Sequence, residues 1–115
     1  MLLSWHLPAT DAQAGAGIGA LRAMLQDKNP EIRIRAAEGL ARVGGREAVF
    51  ILRQGLSDRS IQVRTAVVKA LGFVGGRLAI TVISEALKDN SAEVRKRALE
   101  ALVRADTISS IPVIQ

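Results

Sequence analysis

The chain repeats itself at an interval of 31 residues, and this period limits the possible folds more than any other feature of the sequence. Shifting the sequence by one period aligns similar residues three times over. The aligned sets are Leu25, Leu56 and Leu87; Asp27, Asp58 and Asp89; Asn29, Ser60 and Ser91; Ile32, Val63 and Val94; Arg33, Arg64 and Arg95; and Leu40, Leu71 and Leu102. Self-similarity at a fixed period of this length is typical of a solenoid, in which stacked units bury their apolar faces against one another.

Each complete copy has the pattern of two helices. Over the first helix, apolar residues recur at spacings that place them on one helical face. In the first copy they are Ile32, Ala36, Leu40 and Val43. A second apolar run follows and is matched one period later, as Ala48, Val49, Leu52 and Leu56, then Ala79, Ile80, Ile83 and Leu87. The pattern therefore predicts a helical hairpin for each complete copy.

The predicted first helices also carry start and stop signals. Asn29, Ser60 and Ser91 each precede a periodic run, and their side chains can accept a hydrogen bond from an unpaired backbone N–H of the first turn. Gly44 and Gly75 follow the last apolar position, where glycine ends a helix at low cost. Three caps at one interval support the same helix boundaries in every copy.

The motif Gly-Gly-Arg at 44–46 and 75–77 admits two interpretations, a phosphate-binding loop or a turn that is used twice. It follows a predicted helix and not a strand, and the chain contains no complete GxxxxGK[ST] or GxGxxG motif. We therefore prefer the turn between two helices.

Composition and charge narrow the functional classes. The chain has 115 residues, a net charge of +5, a pI of about 10.7 and no cysteine, which excludes a disulfide framework and a thiolate zinc site. Its only histidine, His6, has no companion for a metal site, and we expect no metal and no cofactor. The sequence begins without the features of a signal peptide, and no stretch approaches the roughly 20 apolar residues of a membrane helix. These observations predict a cytoplasmic protein outside the membrane.

The repeated order of Asp, a helix cap, Val-Arg, Ala, Leu, Gly-Gly, Ala-Val and Leu resembles the HEAT-like repeat. It is similar in particular to the short 31-residue form found in phycobilin lyase-type proteins, and the resemblance covers residues 20–111. It implies an all-α fold, a right-handed alpha-alpha superhelix of about three helical hairpins. The implied organisation is an irregular N-terminal cap over residues 1–17 and a repeat domain over 18–115, with units at about 27–57, 58–88 and 89–115, the last truncated.

The same resemblance implies a ladder of ion pairs along the stack. Its members are Asp27, Asp58 and Asp89 with the aligned Arg33, Arg64 and Arg95. As a structural feature, the ladder would tie each unit to the next through forked hydrogen bonds from arginine to carboxylate. As a functional feature, the arginines would form a basic stripe that is open to an acidic partner. We favour the structural role, and the exposure of the guanidinium groups distinguishes the two.

The sequence shows no convergent acid, base or nucleophile, so we expect no catalytic site and no enzyme activity. The family usually places its second helices on the concave face, which makes their polar residues the candidate partner contacts: Arg46, Glu47, Arg53, Gln54, Arg77, Ser84 and Glu85. Phe73 is a further candidate, because it replaces the equivalent Arg42 and Arg104 and should point outwards, where aromatic residues often anchor a partner. The alternative is that Phe73 lies flat against a neighbouring helix.

The C-terminal end departs from the repeat, since Asp106-Thr107 replaces Gly-Gly and an apolar tail follows. Stacked repeats need polar outer faces at their ends to stay soluble. We therefore expect the tail either to dock on the last unit or to join a second chain in a homodimer. Its apolar residues are Ile108, Ile111, Val113 and Ile114.

Three functions are compatible with these features. We prefer a non-catalytic protein–protein interaction or scaffold module, because stacked hairpins present a long continuous surface to a protein partner. One alternative is a nucleic-acid-binding protein, which the basic charge suggests. The other is a subunit of a bilin lyase-type enzyme, which depends on the resemblance alone.

Overall fold

A computed structural model of the chain describes residues 11–110, with side chains from residue 17 to residue 107. Within these bounds the chain forms six α-helices: α1 (Asp11–Met24), α2 (Pro30–Val43), α3 (Gly45–Gln54), α4 (Ile61–Val74), α5 (Gly76–Ala86) and α6 (Ala92–Ser110). A short 3-10 turn, Gly55–Ser57, follows α3. No strand occurs between residues 11 and 110, so the all-α class is confirmed.

The helices stack in two rows. Helices α2, α4 and α6 form the first-helix row, in which α4 packs between the other two. Each of α1, α3 and α5 packs against the first helix of the next unit. The two complete hairpins are α2–α3 and α4–α5. They lie between α1, a second helix, at one end and α6, a first helix, at the other, as expected for a solenoid.

The Gly-Gly pairs are turns between helices, as predicted. Gly44, Gly45, Gly75 and Gly76 have φ angles of 68°, 84°, 69° and 89°. Residues with a Cβ rarely adopt such angles, which explains why glycine occupies all four positions. The N–H of Gly44 donates to the Leu40 carbonyl at 2.9 Å, and the equivalent bond of Gly75 measures 3.0 Å. These bonds close the last turns of α2 and α4.

All three predicted helix caps are confirmed. The Asn29 Oδ1 accepts a hydrogen bond from the Glu31 N–H at 2.9 Å. Ser60 and Ser91 each accept from the N–H three residues later, at 3.3 Å in both cases. The first helices of the three units therefore begin through the same local interaction, and the sequence alone indicated it.

The core is aliphatic, as the composition predicts. Its largest fully buried side chains are Leu40, Ile51, Leu52, Leu71 and Ile83, with Val49, Val63, Val67, Val68 and Val94. Two predicted core residues of the first unit are less covered, since Ile32 is half-buried and Val43 is 46% exposed. Among the described residues no first helix precedes α2, so these two positions lack the neighbour that covers their counterparts in α4 and α6.

Helix α1 begins at Asp11, so residues 11–17 are helical where we expected part of an irregular cap. Three alanines and a glutamine in this segment favour the helix. They outweigh its two glycines, each of which costs about 1 kcal/mol relative to alanine. Residues 1–10, and the cap predicted there, lie outside the described residues. By its place in the repeat, α1 is a second helix like α3 and α5.

Helix α6 continues through the position where the other units turn. Asp106-Thr107 stands there in place of Gly-Gly, and the helix runs on to Ser110 because no glycine supplies the positive φ that ends α2 and α4. Within the described residues, the third unit is therefore a first helix alone. The tail residues Ile111, Val113 and Ile114 and the side chain of Ile108 lie outside that part of the chain. Their docking or dimerisation stays a prediction.

The packing of α4 on α6 leaves no room for a side chain at Gly72. A Cβ there would lie 3.0 Å from the Cβ and 3.1 Å from the Cα of Ala101. We predict that Gly72→Ala lowers the free energy of unfolding by about 1–3 kcal/mol, because the added methyl group forces the two helices apart. Urea unfolding followed by far-UV circular dichroism measures the change.

Gly19→Ala in α1 is the matched control, since a Cβ at that position meets no atom within 4 Å. It should raise the free energy of unfolding by up to about 1 kcal/mol, because alanine is the better helix former. Wild-type stability of Gly72→Ala would contradict the close approach of α4 and α6.

Candidate functional site

Two arginines of the predicted ladder fork onto aspartates of the following unit. Arg33 donates from Nε to Oδ2 of Asp58 at 2.8 Å and from Nη2 to Oδ1 at 3.0 Å. Arg64 makes the same two bonds to Asp89, at 2.9 Å and 3.1 Å. The pairing is therefore shifted by one unit from the aligned pairs, so that each fork joins one hairpin to the next.

Each ladder arginine also binds the loop of its own unit. The Nη1 atoms of Arg33, Arg64 and Arg95 donate to the backbone carbonyl six residues earlier, at 2.8, 2.8 and 2.7 Å. These carbonyls belong to Asp27, Asp58 and Asp89, and the Oδ1 of each of these aspartates accepts the N–H of the capping residue two positions later. The aligned arginine and aspartate thus meet through the backbone, and the carboxylate is held by its own loop.

Burial and pairing act in opposite directions on the pKa of Asp58. Burial is the largest effect and would raise it. The hydrogen bonds from Arg33 and from the Ser60 N–H, together with the charges of Arg33 and Arg59, outweigh burial, so the pKa of Asp58 lies below its usual range.

The same balance applies to Asp89. Burial alone would again raise its pKa. Hydrogen bonds from Arg64 and the Ser91 N–H, with the charges of Arg64 and Arg95, lower it below the usual range. The charged form of both carboxylates is therefore more stable in the folded chain than in water.

The three ladder arginines differ in exposure. The Arg33 side chain is only 3% exposed, and Arg64 is mostly buried against Asp89, whereas Arg95 is exposed. Two guanidinium groups are thus used inside the stack, where they bind protein acceptors. They do not form the open basic stripe that was the alternative.

The seven predicted partner contacts on α3 and α5 come together on one surface. The outward sides of α1, α3 and α5 form it, and we name it the second-helix surface. All seven residues are exposed: Arg46, Glu47, Arg53, Gln54, Arg77, Ser84 and Glu85.

Ion pairs cross the second-helix surface from helix to helix. Arg53 on α3 pairs with Glu85 on α5, with Nη2 and Oε2 3.0 Å apart. Arg22 on α1 lies 3.7 Å from Glu47 on α3, measured from Nη2 to Oε2. Both pairs are solvent-exposed and contribute little to stability, at most about 1 kcal/mol each. They do restrict where the two arginines point.

Phe50 is an exposed aromatic residue of this surface that the repeat comparison missed. Its side chain is 49% exposed, and it lies on α3 opposite the buried Ala48 and Leu52. Its counterpart one unit later is Thr81, so the alignment gives no recurring aromatic position. Helical spacing alone could have identified Phe50. It lies two positions from each of the core residues Ala48 and Leu52, so it must face away from the core.

Phe73 lies apart from the other seven candidates, on the first-helix row. It is 46% exposed, and the guanidinium carbon of Arg104 on α6 lies 3.8 Å from the centre of its ring. Phe73 thus points outwards and also packs against a neighbouring helix, which combines the two predicted alternatives. Phe73 and Lys69 line two shallow grooves between the first helices, of about 550 and 420 Å³.

The described residues offer neither a metal site nor a membrane span. Among the side chains that the structure describes, residues 17 to 107, no group of three histidine, cysteine, aspartate or glutamate residues is arranged to hold a metal ion. None of the helices in this range has the length and apolar character needed to cross a bilayer. What the structure does present is a charged second-helix surface around one exposed phenylalanine.

We predict that Asp58→Asn lowers the free energy of unfolding by at least about 2 kcal/mol, because it leaves the buried Arg33 without its anionic partner. Asp27→Asn is the matched control. Asp27 accepts the same kind of loop N–H bond, but no arginine of the described residues reaches its carboxylate. In dilute solution the control should change stability by less than about 0.5 kcal/mol. Equal effects of the two substitutions in urea unfolding would contradict the role of the fork.

The lowered pKa values of Asp58 and Asp89 predict a stability loss in acid. A carboxylate whose pKa falls on folding stabilises the folded state above its unfolded pKa of about 4. That contribution is lost as the pH falls through the folded pKa. Wild type should lose more stability than Asp58→Asn between about pH 5 and pH 3, since the variant has one fewer such group. Parallel pH profiles in urea unfolding would rule out this contribution.

Comparison with known proteins supports the fold and the repeat family. A family model described as HEAT repeats matches residues 18–112, which includes both complete hairpins and α6. No curated protein matches the chain. The match covers most of the sequence, and the helices show the stacked hairpins that the repeat predicts. The chain therefore belongs to the HEAT repeat family.

Proposed function

We propose that the chain is a non-catalytic module that binds an acidic segment of a protein partner on its second-helix surface. HEAT repeats generally mediate protein–protein interaction or scaffolding. The finer assignment is supported by one observation above all, the half-exposed Phe50 among the charged residues of α3.

Phe50 supports the proposal because exposed aromatic residues beside arginines are typical anchors of protein interfaces. Arg46 lies four residues before Phe50 and Arg53 three residues after it, so both are its neighbours on the same helical face. An apolar side chain of a partner can cover the Phe50 ring while carboxylates bind the flanking guanidinium groups. A segment of alternating acidic and apolar character meets both requirements.

The charge of the surface favours an acidic partner. Four arginines lie on it against two glutamates, and Arg22 and Arg53 are those held in ion pairs. Arg46 and Arg77 have no carboxylate partner among the described residues, and both are exposed. They can therefore bind carboxylates without first breaking an internal pair, which lowers the cost of binding.

The helical scaffold supports tight recognition in a second way. The three helices α1, α3 and α5 are fixed by packing against the first-helix row. Phe50 and its flanking arginines are thus held in place before a partner arrives, and less conformational entropy is lost on binding.

The proposal predicts the outcome of a peptide-display selection against the purified chain. Selected peptides should be enriched in Asp and Glu around an apolar residue. Phe50→Ala should weaken their binding at least about tenfold, as expected when an interface anchor is truncated. Fluorescence anisotropy with labelled peptides measures the affinities.

Phe73→Ala is the matched control, because it removes a phenylalanine of similar exposure from the other row. It should leave peptide affinity within about twofold of wild type, since surface changes away from an interface are nearly neutral. The reverse pattern, with Phe73 required and Phe50 dispensable, would contradict the assignment.

Nucleic acid, the alternative partner, predicts a different result. Binding of a DNA duplex at low salt, with an affinity that falls steeply as salt is added, would favour it over an acidic peptide. The bilin lyase-type alternative depends on the resemblance alone, and no contact among the described residues adds support for it.

A further inference from the structure

The two ends of the described stack carry complementary halves of a unit. At one end α1 is a second helix, and no first helix precedes it among residues 11–110. At the other end α6 is a first helix, and no second helix follows it in the same range. We infer that two copies of this chain associate head to tail, with α6 of one copy and α1 of the other forming one complete unit.

Arg95 is a ladder arginine with only its internal bond made. Its Nη1 donates to the Asp89 carbonyl at 2.7 Å, as Arg33 and Arg64 do to their own loops. In those two arginines, Nε and Nη2 fork onto the aspartate of the next unit. The same two donors of Arg95 bind no acceptor among the described residues, and the side chain is exposed. A guanidinium fork is therefore already oriented for a carboxylate.

Asp27 is the matching carboxylate at the opposite end. Its Oδ1 accepts the Asn29 N–H at 2.8 Å, in the same loop geometry that prepares Asp58 and Asp89 for their arginines. In the ladder, each fork runs from a first helix, past the second helix of its unit, to the aspartate that follows. In the inferred complex, α1 of the second copy packs on α6 as α5 packs on α4. Asp27, which follows α1, then takes the place that Asp89 has after α5 and can accept the fork of Arg95.

The α6 end also exposes an apolar ridge. Leu99 and Val103 lie one turn apart on α6 and are 59% and 69% exposed. One period earlier, the same positions on α4 are Val68 and Gly72, which are buried on the side of α4 that packs against α6. Helix α6 thus presents outwards the side that α4 uses to bind its neighbour.

The α2 end exposes the surface that such a ridge would cover. Val43 is 46% exposed. Its counterparts are Val74, which is half-buried, and Ala105, which is fully buried. Ile32 is half-buried, although the equivalent valines of α4 and α6 are fully buried. The positions left open on α2 are those that a preceding first helix covers elsewhere in the stack.

These contacts define a heterologous interface, because the α6 end of one copy binds the α2 end of the next. Every linear complex formed in this way keeps one free α6 end and one free α2 end, so association continues into longer chains as concentration rises. Phe50 and the flanking Arg46 and Arg53 lie on the outward side of α3 and take no part in it. Failure of one proposal therefore leaves the other open to its own test.

Sedimentation velocity of the full chain over a range of concentrations tests the inference. The average mass of wild type should rise continuously beyond that of a monomer. Leu99→Glu places a charge on the α6 end and Val43→Glu one on the α2 end, and each should be monomeric alone. An equimolar mixture of the two variants should form a heterodimer and nothing larger, because one intact interface remains.

Two further variants separate the interface from general effects on the fold. Ile61→Glu changes an exposed residue of the middle unit, 43% exposed, and should associate like wild type. Arg95→Gln removes the fork's charge without placing a charge in the ridge, and should weaken association at least about tenfold.

Three results would overturn the inference. The first is a monomeric wild type at every concentration, as expected if residues beyond 110 cover the α6 ridge. The second is association that Leu99→Glu and Arg95→Gln leave unchanged. The third is a mixture of Leu99→Glu and Val43→Glu that stays monomeric.

Discussion

The fork from Arg33 to Asp58, repeated from Arg64 to Asp89, is the interaction on which the order of the stack depends. Aliphatic packing supplies most of the driving force, but the hydrophobic effect is non-directional and does not by itself fix the register between units. A buried guanidinium must meet its carboxylate in one geometry, since leaving either group unpaired is costly. Because Arg33 also binds its own loop, each arginine fixes both the loop of one unit and the position of the next.

The sequence predicts the local features well because they follow local rules. Asn29 and Ser60 cap helices through bonds that span two or three residues, and Gly44 is required by its own φ angle. The shift of the ion pairs by one unit, from Arg33 to Asp58 and from Arg64 to Asp89, does not follow from a local rule. Alignment shows that Arg33 and Asp27 are equivalent members of one unit, but it does not show which neighbouring unit each side chain reaches.

Features that depend on a missing neighbour or a missing repeat partner could not be predicted from the alignment. Val43 shares the spacing of the core residues, yet it is exposed because no first helix among the described residues covers it. Phe50 has Thr81 as its counterpart, so comparison of the units hides it, although its place on the helical wheel of α3 reveals it. Helix α6 continues through Asp106-Thr107, where the other units turn at Gly-Gly, and the alignment shows only that the glycines are absent there.

The central claim is that buried forks join the units, and exchange of arginine side-chain protons measures this most directly. In dilute solution near neutral pH, the Nε protons of Arg33 and Arg64 should exchange slowly with water, because each is buried in a hydrogen bond to a carboxylate. The Nε proton of Arg95 should exchange rapidly, since it has no acceptor among the described residues. Equally fast exchange of all three would contradict the account.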